Sequence, residues 1–93
     1  MSESTFTIEI EKPEGGQFTF TIKPIDQQIY YAMMKLIRQD KAFEAYIMAL
    51  KSLSVDGDNP DELKESKYIS CLMALDGVFA DMLQPAAATV KKN

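Results

Sequence analysis

The chain has 93 residues, 46% hydrophobic and 26% charged, with a net charge of −4, which is the profile of one small globular domain and not of a disordered segment. It has no His, no Trp, one Cys and a single arginine, Arg38. Those counts exclude a His-based nucleophile–base pair and an internal disulfide, and they disfavour nucleic-acid binding, which needs a basic stripe.

The N-terminus MSESTFTIEI lacks a basic stretch followed by an apolar core, so it does not read as a signal peptide. No apolar run approaches the ~20 residues of a membrane helix. With the lone Cys, these features point to the cytoplasm. Charge is spread unevenly: residues 54–83 hold seven acids against two lysines, and residues 24–53 hold three acids against four bases.

From Thr5 to Lys23 apolar residues alternate with polar ones: Phe6, Ile8 and Ile10, then Phe18, Phe20 and Ile22. Lys12-Pro13-Glu14-Gly15-Gly16 supplies the turn between them. Pairing Glu11 with Gln17 sets Ile10 opposite Phe18, Ile8 opposite Phe20 and Phe6 opposite Ile22. All six apolar side chains then share one face, and a slip of one residue would scatter them. A lone hairpin is marginal in water, so helices must cover this face.

Pro24 ends the strand, and Asp26 is a good cap for a helix starting at Gln27. Ile29, Tyr30, Met33, Met34, Leu36 and Ile37 form its apolar stripe. Phe43, Tyr46, Ile47 and Leu50 form a second stripe, rotated by roughly 100° from the first. A break near Asp40 is expected, with Asp40 itself a candidate cap for the next helix. One unbroken helix over 27–53 is the alternative, because no Gly or Pro interrupts it.

Ser54 to Asp58 reads as a loop. Asn59-Pro60-Asp61-Glu62 is a helix start, with Asn as cap, Pro in the first position and acids at the positive end. Tyr68, Cys71, Leu72, Leu75, Val78, Phe79, Met82 and Leu83 make the clearest stripe of the chain. Leu63 lies off it, so the first turn is a candidate for a separate or kinked segment. Gln84-Pro85 ends the helix.

The predicted fold class is α+β: a two-stranded antiparallel hairpin (5–23) packed against three to four mainly antiparallel helices (about 26–39, 41–53 and 60–83). These form one domain over 1–85, followed by a flexible tail over 86–93.

The acidic stretch Asp56-Gly57-Asp58-Asn59-Pro60-Asp61-Glu62 resembles a calcium loop at first glance. Counted from Asp56, the fifth position is Pro60, the sixth is Asp61 instead of Gly, and the twelfth is Lys67 instead of Glu. It reads instead as a turn and a helix cap. Cys71 sits inside the apolar stripe and reads as a small core residue, since a reactive thiol needs exposure and positive neighbours. The carboxylates lie on polar faces or in loops, so none is singled out as an acid or base. No catalytic residue, cofactor or metal is expected.

The candidate partner-binding residues are Tyr31, Met34, Lys35, Arg38 and Met48. Tyr31 lies opposite the main stripe of its helix, among Lys35 and Arg38, while methionines can repack around different partners. The hairpin's two open edges are a second candidate surface, for another copy or an extended peptide.

The segments Phe18-Thr19-Phe20-Thr21-Ile22-Lys23-Pro24-Ile25 and Arg38-Gln39-Asp40-Lys41-Ala42 carry a resemblance. So does the order hairpin, Pro hinge, helices, acidic loop, long helix and basic tail. In that layout, over residues 6–83, the chain resembles the small tail assembly chaperones of long-tailed bacteriophages. The resemblance implies a non-enzymatic protein in the host bacterial cytoplasm. Its expected partners are tape-measure and tail-tube proteins, and self-association into a homo-oligomer is implied as well. Such phages also make a longer chaperone by a −1 frameshift, of which the terminal Lys92-Asn93 would be the translated trace. The alternative is a small host or phage regulatory or adaptor protein that meets a basic partner through the acidic 54–83 region.

Overall fold

The computed structural model describes residues 4–92. The N-terminal reading therefore lies partly outside the described residues, and the Asn93 half of the frameshift expectation lies wholly outside them. Strands β1 (Phe6–Glu11) and β2 (Gln17–Ile22) pair antiparallel. Ile10 faces Phe18, Ile8 faces Phe20 and Phe6 faces Ile22, the register that the alternation predicts. The turn closes through Lys12 N–H on the Gly16 carbonyl and Gly15 N–H on the Lys12 carbonyl. Gly15 and Gly16 both sit at positive φ, where a side chain would be strained. Five of the six apolar residues on this face are buried, but Phe6 is 44% exposed. It sits at the first position of the outermost strand, so the prediction of six buried side chains fails there.

Among the described residues the sheet has three strands, not two. Residues Ser54–Gly57, expected as a loop, form β3, which pairs antiparallel with β2 to give the order β1-β2-β3. No hydrophobic alternation marks this strand, because all four of its residues are exposed. Hydrogen bonds to the backbone of β2 and its flanks hold it instead. Asp58 N–H donates to the Thr19 carbonyl, Thr19 N–H donates to the Asp58 carboxylate, and Lys23 N–H donates to the Leu53 carbonyl. The register shifts between Thr21 and Ile22, which leaves Val55 as a bulge.

Helix α1 spans Gln27–Arg38 and is capped as expected, with the Asp26 carboxylate accepting from Ile29 N–H. It ends in a Schellman arrangement, with Lys41 N–H on the Leu36 carbonyl and Asp40 N–H on the Ile37 carbonyl. Asp40 holds the left-handed position at φ 61. The break near Asp40 is therefore present, but Asp40 closes α1 and does not cap α2. Helix α2 (Ala42–Leu53) starts from Lys41 with no side-chain cap.

The region predicted as a helix over about 60–83, with its first turn a candidate for separation, is three pieces. A 3-10 turn over Pro60–Lys64 is capped by the Asn59 side chain, a second covers Ser66–Tyr68, and α3 runs Ile69–Met82. Extended backbone at Glu65 divides the two turns. That division lets Leu63, off the α3 stripe, reach full burial. Among the described residues the bundle thus has three α-helices and two short 3-10 turns.

One core joins the elements. Phe18 and Phe20 from the sheet meet Leu50 and Leu53 of α2, Leu63 and Tyr68, and Leu72, Leu75 and Phe79 of α3. The Phe18 ring meets the edge of Tyr68 at 4.7 Å, and Tyr46 stacks on Phe79 at 5.0 Å; such pairs add to area burial. Cys71 is buried in this core, and its thiol donates to the Glu11 carbonyl at 3.4 Å. Burial pushes its pKa up, the opposite of what a nucleophilic thiol requires. From Pro85 to Lys92 the chain has no regular structure and is exposed. No helix of the described residues is long and apolar enough to cross a membrane.

Candidate protein-binding surface

Helix α1 is seated mainly on α2. Of its 12 residues only Met33 is fully buried. Ile29, Met34, Leu36 and Ile37 are half-covered, and Tyr30, expected on the buried stripe, is 39% exposed. The stripe is as regular as the sequence implies, but a helix resting on one neighbour covers only part of it.

A hollow of about 440 Å³ on the outer side of α1 is lined by Tyr30, Tyr31, Met34, Lys35, Arg38 and Gln39. Four of the five sequence candidates, Tyr31, Met34, Lys35 and Arg38, therefore meet in one place. Tyr31 is 65% exposed, and its ring lies 6.0 Å from that of Tyr30 in an edge-on pair. Lys35 and Arg38 also occupy the last turn of α1, where positive charge offsets the helix dipole.

Met48 lies elsewhere. It belongs to a groove of about 760 Å³ lined on α2 by Phe43, Ile47 and Met48, with Leu36 of α1 and Leu72 of α3 also in the lining. On α2 the lining residues 43, 44, 47, 48, 51 and 52 recur at helical spacing, a strip about 14 Å long. Its lining is mainly apolar, interrupted by Glu44, Lys51, Ser52 and Lys64. The sequence placed Phe43 and Ile47 in a buried stripe. Ile47 is buried and Phe43 is partly exposed, so the stripe gives both core and groove. No periodic signal separates the two, because both lie on the same side of the helix.

The acidic 54–83 region is largely occupied with internal bonds. Asp56 accepts from Gly57 N–H, Asp58 from Thr19 N–H, and Asp76 from the Tyr46 hydroxyl at 2.5 Å. Asp61 meets Lys64 at 3.0 Å and Lys51 at 3.1 Å, and bonds from Lys64 and then Lys51 hold its carboxyl below the usual range. Glu65 meets Lys67 at 3.6 Å. In the turn, Glu14 accepts from the Tyr68 hydroxyl at 2.7 Å, which lowers its pKa. Among the described residues, no three His, Cys, Asp or Glu side chains cluster as a metal site would require.

No family model, curated protein or solved structure matches this chain. The surface itself therefore carries the functional reading.

Proposed function

We propose that this chain is a non-enzymatic protein-binding domain of the phage tail assembly chaperone kind. It holds amphipathic helical segments of a longer partner, a tape-measure protein, and brings them to tail-tube subunits. The observation that carries the reading is the half-covered α1. It rests mainly on α2, presents Tyr31, Met34, Lys35 and Arg38 on one side, and stands beside the apolar groove of α2. A helix laid in a groove is recognised by apolar anchors at helical spacing, and the α2 strip offers room for two to three turns at about 5.4 Å each. Met34 and Met48 suit a partner whose helical segments differ from one another.

The competing reading, an adaptor that presents an acidic face to a basic partner, draws less support. Five of the seven acids in residues 54–83 already serve a backbone group, a hydroxyl or a lysine of this chain.

Co-expression with the tape-measure protein of the same genome tests the proposal. The expected result is that the partner stays soluble and co-purifies with this chain. The pair Tyr31→Ala and Arg38→Glu should weaken the complex at least tenfold, as loss of an aromatic and an arginine anchor does, while lowering the melting temperature by only a few degrees through the reversed charge at the end of α1. A genome with no tape-measure gene, or a complex that the double variant leaves intact, contradicts it.

A further inference from the structure

The two edges of the sheet differ. The outer edge of β3 is four residues long, carries the bulge at Val55 and ends in Gly57 at φ 108. Short length and bulges are what keep an edge from pairing. The outer edge of β1 has six residues in regular register, with no bulge and no proline.

The backbone of β1 also has a definite orientation. Lys12 N–H points to Gly16 on the β2 side, so the even residues of β1 bond to β2. The odd residues Thr5, Thr7, Glu9 and Glu11 turn their N–H and carbonyl groups outward. The Glu11 carbonyl accepts from the Cys71 thiol, which agrees with this orientation and uses that acceptor. Thr5, Thr7 and Glu9 remain as a row of exposed donors and acceptors.

We propose that this edge pairs with the same edge of a second copy, antiparallel and with Thr7 opposite Thr7, to give one six-stranded sheet. Three observations select that occupant and register. Thr5 then faces Glu9 of the second copy, so the outward groups of all three residues are matched and the blocked Glu11 carbonyl is not needed. Within the paired stretch from Thr5 to Glu9 no two glutamates oppose each other, whereas a shift that places Glu9 on Glu9 brings like charges together, which is unfavourable. Phe6, 44% exposed on the apolar face, comes to lie opposite Ile8 of the second copy and is covered. Glu9 thus permits one self-pairing and opposes another. The inference is independent of what binds the helices.

Sedimentation analysis from micromolar to millimolar concentration tests it, together with hydrogen exchange on the unaltered chain. The wild type should reach a dimer, and the amides of Thr7 and Glu9 should slow as dimer forms. Thr7→Pro should be monomeric with an unchanged circular dichroism spectrum, because the lost N–H points away from β2. In oxidising buffer, Thr7→Cys should give a disulfide-linked dimer where Thr19→Cys does not, Cys71 being buried in both. A monomer at every concentration overturns the proposal. So does a dimer whose Thr7 and Glu9 amides exchange as fast as in the monomer, or protection that requires an added peptide.

Discussion

A Cβ atom on Gly57 would stand 2.2 Å from the Thr19 carbonyl oxygen and 3.1 Å from the Phe20 Cα, on a backbone already at φ 108. Both obstacles are backbone, so neither can swing aside. Gly57→Ala is therefore expected to cost about 1–3 kcal/mol from the dihedral alone, and more from the clash, read as a lower urea midpoint. Tyr46 gives a second prediction at this scale. Burial, and then the hydrogen bond to Asp76, push its pKa up to about 12. The folded protein thus holds the phenolic proton where the unfolded chain, with a pKa near 10, has released it. The contribution is fully present below about pH 10 and is lost as pH rises toward about 12. Tyr46→Phe should flatten that part of the stability profile relative to wild type, in urea melts taken across the range.

Among the elements, α1 and β3 show what a sequence of this kind discloses. The hairpin register was legible because six large apolar residues tolerate one pairing only. The start of α1 was legible because Asp26 caps it. β3 was hidden because its specification lies in Gly57, Asp58 and the backbone of Thr19, none of which produces a period. The break in the last helical region was half legible, from Leu63 alone. At the surface, Tyr31, Met34, Lys35 and Arg38 could be placed together from helix geometry. The groove around Met48 could not, since it depends on Leu72 arriving from α3.

Two measurements follow at the element scale. Asp40 occupies a left-handed position that glycine takes without a side-chain penalty. Asp40→Gly should therefore raise stability by up to about 1 kcal/mol, and Asp40→Val should lower it. With one buried residue in α1 against four in α3, amide exchange in α1 should be faster than in α3. Equal protection in the two helices would contradict the view of α1 as the loosely held element.

Taken whole, the molecule separates its tasks by layer. The apolar face of the sheet is committed to the core with α2, α3 and the 3-10 turns. The acidic residues of the 54–83 region mostly secure backbone and lysine partners. Surface suited to a partner remains on α1, along the α2 groove and at the β1 edge. The central claim is that the helical surface is where a protein partner docks. Backbone chemical shifts of the labelled chain, followed while a helical fragment of the proposed tape-measure partner is added, test it most directly. Shifts concentrated at Tyr31, Met34, Arg38, Ile47 and Met48 are expected, with β2 unmoved and the response lost in the Tyr31→Ala, Arg38→Glu variant. Shifts confined to residues 56–65, or none at saturating fragment, would contradict it.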